Sequence, residues 1–245
     1  EEAMASGERD DLDVRWYRRR LGERPPELAV VHRPYTVEHI SEAWNRDPAK
    51  VTATPDGIGF DVARGTGDWN CVAAVFGRDI RILDRWHLTE GETHIDSESR
   101  VRDLIEGSWD CRFAVDAVGE GSGIADMIME WYPNVHRFNN GANAVQDEKY
   151  YDKWTESNTE FGQMLRDGAG FTDKRLREET LAAARSLRYE EKYSRGRRAD
   201  LLKLNSKKNV KERLGHSPDV LDAALMACWA ASEDTYSGPR EIPST

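Results

Sequence analysis

Cysteine is scarce in this 245-residue chain: Cys71, Cys111 and Cys228 are odd in number, far apart and without Cys-x-x-Cys spacing. A disulfide framework and a cysteine zinc site are therefore not expected, and a reducing interior is. No run of about eighteen apolar residues occurs, so no membrane-spanning helix is expected. The opening residues, Glu-Glu-Ala-Met-Ala-Ser-Gly-Glu-Arg-Asp, hold no apolar signal core. No Gly-x-x-x-x-Gly-Lys-Ser/Thr is present, so this chain alone is not expected to hydrolyse ATP. A Gly-x-Ser-x-Gly elbow, a reactive-cysteine setting and a histidine cluster are lacking too, which removes acyl-enzyme and histidine-zinc chemistry. Gly119-Glu-Gly-Ser-Gly123 opens a helix after a strand, but it is not a dinucleotide site. Asn134-Val-His-Arg-Phe stands where the ribose-binding acid belongs, and Asp116 would repel a pyrophosphate.

What is present is enough for one large domain with a real core: 38 % hydrophobic residues and eight tryptophans. The net charge is −10, from 35 basic and 45 acidic residues. Acidity of that size speaks against a nucleic-acid partner only if it is evenly spread. It is not: residues 174–213 carry fourteen Lys/Arg against six Asp/Glu, leaving −18 elsewhere. Within that segment Arg195, Arg197, Arg198, Lys203, Lys207, Lys208, Lys211 and Arg213 crowd together. That crowding suits a phosphate-facing surface as well as it suits a solvated helix face.

Residues 1–56 read as a lead-in, with short helices over Asp11–Leu21 and Val37–Trp44 broken by prolines. This stretch is too poor in apolar residues for a core of its own and is expected to pack on the domain after it. Strands are expected from Gly57 to about Arg64, over Cys71–Phe76 and over Ile80–His87, joined by tight turns as an antiparallel meander. Next come a helix over Ser97–Glu106, a strand over Arg112–Val118, a helix over Gly121–Trp131 and a strand over Val135–Phe138. Helical spacing runs from Val145 to Arg166, and Asp173 caps a helix to Ser186. Two strands, Leu187–Tyr193 and Arg198–Leu204, are expected around Ser194-Arg-Gly. Ser206 caps a short helix to Leu214, and Ser217-Pro218-Asp219 starts a last one ending near Ser232. The order implies an α/β fold with a mixed sheet flanked by helices.

Asp61 interrupts the apolar strand Ile58-Gly-Phe-Asp-Val-Ala, and Asp116 interrupts Phe113-Ala-Val-Asp-Ala. Aspartate is disfavoured in strands and costly when buried alone. An edge strand with Asp61 facing water would explain the first, but Asp116 sits in what reads as a central strand. Asp219 and Asp222 lie one helical turn apart and project from one side of the last helix. Singly each has an ordinary structural explanation. Together, two strand acids and a helix pair are what two hard oxygen-seeking cations need to hydrolyse a phosphodiester.

Three segments carry a resemblance: Gly59-Phe-Asp-Val-Ala-Arg-Gly-Thr-Gly-Asp68, Val115-Asp-Ala-Val-Gly-Glu-Gly-Ser-Gly-Ile-Ala-Asp126, and Lys207-Lys-Asn-Val-Lys-Glu-Arg-Leu-Gly-His-Ser-Pro-Asp-Val-Leu-Asp-Ala-Ala224. They resemble the C-terminal nuclease domain of the viral terminase large subunit, the packaging motor of tailed bacteriophages. The likeness runs from about Gly57 to Ala231, and Asp147–Phe171 looks like that family's helical insertion. It implies a ribonuclease H-like sheet, three antiparallel strands and then parallel ones, over 57–233. A lead-in from an upstream ATPase domain (1–56) and a tail (234–245) would flank it. It further implies a metal-dependent endonuclease that cuts concatemeric viral DNA with two Mg²⁺ or Mn²⁺. Asp61 would bridge the ions, Asp116 would hold one, Asp219 or Asp222 the other, and Asp68 would approach a metal. Arg195, Arg197, Arg198, Lys207, Lys208 and Lys211 would contact phosphates of double-stranded DNA. The implied partners are the portal protein, the terminase small subunit and the ATPase domain, in the host cell cytoplasm and docked on the procapsid. Two alternatives stay open: a DNA-gripping or portal-docking module with little cleavage alone, and a junction resolvase or transposase-type nuclease of the same fold. His216, Glu120, Tyr150, Tyr151, Trp154 and Cys228 have better explanations as turn, cap or core residues.

Overall fold

The computed structural model describes residues 33–46, 54–63, 67–105, 111–119, 121–190 and 201–232. Arg195, Arg197, Arg198, Glu120 and the expected helix over Asp11–Leu21 lie outside them. The elements run α1 (Val37–Asn45), β1 (Gly57–Asp61), β2 (Asn70–Phe76), β3 (Asp79–Trp86), α2 (His94–Ile105), β4 (Arg112–Asp116), α3 (Gly121–Met129), β5 (Val135–Phe138), α4 (Lys153–Arg166), α5 (Lys174–Ser186), α6 (Lys208–Leu214) and α7 (Asp219–Ala231). No helix among the described residues is long and apolar enough to cross a membrane.

The strands form one sheet in the order β3-β2-β1-β4-β5. β1, β2 and β3 are antiparallel neighbours, while β4 runs parallel to β1 and β5 parallel to β4. β1 is thus a central strand, buried along its whole length. That overturns the edge-strand explanation of Asp61, whose strand has a sheet neighbour on either side. One sheet face packs Ile58, Phe60, Val72 and Trp86 against Val101, Ile105, Ile124 and Ile128 of α2 and α3. The other packs Cys71, Ala73 and Val75 against Val220, Leu221, Ala224 and Cys228 of α7, with α4 and α5 behind.

The face that meets α7 is made of the smallest residues. A Cβ on Gly59 would overlap the Ala223 carbonyl oxygen and the Ala227 amide nitrogen, and one on Gly57 would lie 2.6 Å from the Ala227 carbonyl oxygen. Two strand residues advance about 6.6 Å and four helix residues about 6 Å, so the two elements keep register. Gly57 and Gly59 face the Ala231, Ala227 and Ala223 ladder, and the next residue on that strand face is Asp61. Helix and strand therefore bring Asp61 level with the first turn of α7, where Asp219 and Asp222 stand.

Local chemistry sets the helix starts. Asp152 accepts from the Thr155 amide and Asp173 from the amides of Arg175 and Leu176. Helix α4 accordingly begins at Lys153, not Val145: the amides of Val145 and Gln146 bond to the buried Glu156 carboxylate at 3.0 and 2.8 Å instead of continuing a helix. Helix α2 starts earlier than Ser97, because Asp96 accepts from the Thr93 amide at 2.7 Å and closes a capping arrangement. The expected strands around Ser194 show, among the described residues, only isolated bridges: Tyr189 with Leu204, antiparallel, and Leu202 with Tyr150, parallel.

The core reaches back to Tyr35, ahead of the expected boundary at Gly57. Tyr35 is fully buried, meets Phe161 edge-on with ring centres 5.2 Å apart, and donates to Asn158 Oδ1 at 3.1 Å. Arg46 Nη1 binds the carbonyls of Leu165 and Ala169 at the end of α4. Tyr35→Ala is expected to cost about 3–5 kcal/mol in urea denaturation, as for other buried aromatics. A cost below about 1 kcal/mol would mean that these residues lie on the domain without stabilising it.

Candidate metal centre

Asp61 at the end of β1 and Asp219 and Asp222 in the first turn of α7 offer carboxylate oxygens that all lie within 4.8 Å of one another. Their residues are 8 %, 5 % and 2 % exposed. Three buried carboxylates so close cannot all ionise without compensation. Two contacts supply part of it: the Trp69 amide donates to Asp219 Oδ2 at 3.0 Å, and the Lys207 ammonium pairs with Asp222 Oδ2. Asp222 Oδ1 is buried without a hydrogen-bond partner. An all-oxygen donor set with an orphaned carboxylate oxygen fits a hard divalent cation.

Electrostatics reflect the crowding. Burial, then the charges of Asp222, Asp219 and Asp116, push the Asp61 carboxyl well above the ordinary range, with Lys207 pulling the other way. Burial also raises Asp222, against the pull of Lys207. Burial pulls the Lys207 ammonium down, but the charges of Asp222, Asp61 and Asp219 outweigh it and keep it protonated. Glu179 of α5 is pushed up to about 8 by burial, opposed by its bonds to the Leu221 amide and Arg175. A carboxyl whose pKa is raised in the metal-free native state keeps its proton to a higher pH than it does in the unfolded chain. The native state then binds more protons, so stability falls as pH rises from the ordinary carboxylate range through about 8. The expected result is a higher urea midpoint at pH 5.5 than at pH 8 in chelator, with Mn²⁺ at pH 8 closing the gap. A midpoint that rises across that range in chelator contradicts the crowding of these acids.

Asp61 and Asp219 open into a pocket of ≈ 380 Å³, while Asp222 is buried and takes no part in its lining. Asp116 and Asp68 line it without joining the group of three, and Lys207, Lys208, Lys211, Trp69, Asn139, Asn140 and Ser217 complete its walls. Asp116 Oδ1 is engaged by the Val118 amide at 3.0 Å. Lys207, expected at a phosphate, is instead turned inward onto Asp222. That leaves Lys208 and Lys211, exposed on α6, as the pocket lysines open to a phosphate. His216 Nδ1 lies 2.7 Å from the Ser217 carbonyl oxygen and is exposed. Trp154 is buried and donates its Nε1–H to the Asn205 carbonyl at 3.1 Å, Tyr150 is buried, and Cys228 is enclosed in α7. Sequence reasoning missed Trp69, which acts through its backbone amide, and Glu179, whose Glu-Glu-Thr context is that of any helix surface.

No family model matches the sequence, and no curated protein matches it. Among solved structures, the nuclease domain of the large terminase subunit gp2 of bacterial virus Sf6 superposes with a TM-score of 0.59 at 13 % identity, covering 80 % of this chain and 98 % of that one. A lysine-to-alanine mutant of that domain with manganese and β-thujaplicinol gives the same TM-score, identity and coverage. A mutant with calcium gives 0.53 at 13 % identity over 80 % of this chain and 98 % of that one. At these identities the likeness shows the fold. This chain has the ribonuclease H-like fold of the terminase nuclease domains, with three antiparallel strands and then parallel ones, as the resemblance implies.

Proposed function

We propose that the chain is the nuclease domain of a viral terminase large subunit: a divalent-metal-dependent endonuclease that cuts concatemeric double-stranded DNA during genome packaging. The observation that carries this reading is the meeting of Asp61, Asp219 and Asp222 within 4.8 Å, with Asp61 and Asp219 lining a pocket that Lys207, Lys208 and Lys211 also line. That the gp2 domain of the same fold was solved with manganese and with calcium supports a divalent ion there. In this reading Asp61, Asp219 and Asp222, with Asp116 and Asp68 on the walls, hold two Mg²⁺ or Mn²⁺. Bound ions of this kind lower the pKa of an attacking water and neutralise the departing 3′ oxygen of a phosphodiester.

The chain's own residues prepare the site. The Trp69 amide and the Lys207 ammonium fix the two helix acids, so their free oxygens are oriented before any ligand enters. Lys208 and Lys211 meet the DNA backbone, which gives position and salt dependence without reading sequence. Residues 1–56 lead in from an upstream ATPase domain, 57–233 carry the nuclease and 234–245 are a tail. The portal protein and the small subunit are the motor partners, in the host cytoplasm at the procapsid. Incubation with supercoiled plasmid tests the reading. Nicked and linear products are expected in Mn²⁺ or Mg²⁺ and none in chelator; an intact plasmid with both ions, or cutting that persists in chelator, contradicts it.

A further inference from the structure

Helix α7 carries two of the three acids, yet it starts without a cap of its own. Pro218 stands at its N-cap with no side-chain hydrogen bond to offer, and an uncapped helix start leaves amides unsatisfied. The missing acceptor comes from forty-two residues upstream: Glu179 Oε2 accepts from the Leu221 amide at 2.8 Å. Leu221 sits between Asp219 and Asp222. Glu179 Oε1 accepts from Arg175 Nε at 3.2 Å, one turn back on α5. The Arg175 guanidinium lies 6.0 Å from the centre of the Trp69 ring, and the amide of Trp69 holds Asp219 Oδ2 at 3.0 Å. One hydrogen-bonded pair thus reaches both structures that orient Asp219: the helix turn that carries it and the strand-to-strand turn that grips it. Glu179 is 1 % exposed and stands outside the group of three acids. Burying a fourth carboxylate beside that group is unfavourable on its own, so its placement calls for a reason beyond filling space.

We propose that Glu179 and Arg175 are positioning residues of the metal centre, which clamp the first turn of α7 against the Trp69 turn so that Asp219 and Asp222 converge on Asp61. The role rests on the metal-centre reading. It differs from simple helix capping in one respect. A cap that only stabilises the helix would lower the melting temperature of the metal-free protein and leave ion affinity alone. A positioning pair changes ion affinity itself, by the roughly 10–100-fold typical of contacts that orient metal ligands.

Mn²⁺ titration followed by the electron paramagnetic resonance of the free ion separates the two, with the melting temperature recorded with and without Mn²⁺. Glu179→Gln keeps an acceptor for the Leu221 amide but breaks the bond to Arg175, and Arg175→Met breaks the bond from a partly exposed position that tolerates change. Mn²⁺ affinity is expected to fall about tenfold or more in Glu179→Gln and several-fold in Arg175→Met. The Mn²⁺-induced rise in melting temperature should shrink in step. If Glu179→Gln does not fold, Arg175→Met carries the test. Wild-type Mn²⁺ affinity in the folded variants overturns the positioning role while leaving the metal centre intact. A wild-type protein that takes up no Mn²⁺ overturns the metal centre, and this role with it.

Discussion

Asp61→Asn is expected to give a folded protein without measurable DNA cleavage. Asp61 lies at the end of the central strand with Asp219 and Asp222 within 4.8 Å, and its carboxylate is the only strand-borne member of that group. An amide of the same shape removes one negative charge from a buried site whose attraction for a divalent cation is chiefly electrostatic. Loss of a metal's charge stabilisation, worth several kcal/mol in the transition state, corresponds to about a thousandfold or more in rate. The same substitution relieves repulsion with Asp222 and Asp219, the charges that raise the Asp61 pKa after burial itself. The metal-free melting temperature should therefore stay level or rise. Retained plasmid cleavage at the wild-type rate would show that Asp61 plays no part in the chemistry. A collapse in stability would show that its role is to hold the fold.

The second large effect is structural. Gly59→Val should destabilise the domain by about 3 kcal/mol or more, because overpacking at a rigid backbone contact leaves no side chain to move aside. The obstacle at Gly59 is the α7 backbone, at the Ala223 carbonyl and the Ala227 amide. Either the protein fails to fold, or α7 slides away from β1. In the second case Asp219 and Asp222 part from Asp61, and Mn²⁺ uptake falls although no acid has been altered. Urea denaturation and Mn²⁺ titration on one sample check both halves. A variant as stable as wild type and with full Mn²⁺ uptake would mean that strand and helix are not in the close contact described.

These two positions show how far the sequence could be read. The order of strands and helices was legible in alternation, turn residues and caps, since those are local. The strand Val135–Phe138 and the helix after Asp173 lie where those signals put them. The acids of the centre were legible because aspartate is out of place inside apolar strands, and Asp219 and Asp222 share a helix side. Their convergence is implied by the resemblance alone and not by any local pattern, because it depends on the register of Gly57 and Gly59 against the alanines of α7. That long-range contact involves residues without side-chain chemistry of their own. The edge-strand explanation of Asp61 failed for the same reason. Only the pairing of β1 with both β2 and β4 shows that the strand is central. In the sequence Lys207 is one of a run of lysines, and nothing in that run marks the one whose neighbours in space are acids. Glu179 and the Trp69 amide were invisible because a backbone donor and a distant cap leave no pattern in the chain.

The central claim is that Asp61, Asp219 and Asp222 form a divalent-cation centre on this scaffold. Crystals soaked in Mn²⁺ and measured at the manganese absorption edge test it most directly. Anomalous peaks are expected, bounded by carboxylate oxygens of these three residues, with the Lys207 ammonium no longer paired to Asp222 wherever an ion takes its place. A fully soaked crystal with no peak among the three acids, and with Lys207 still seated on Asp222, would contradict it.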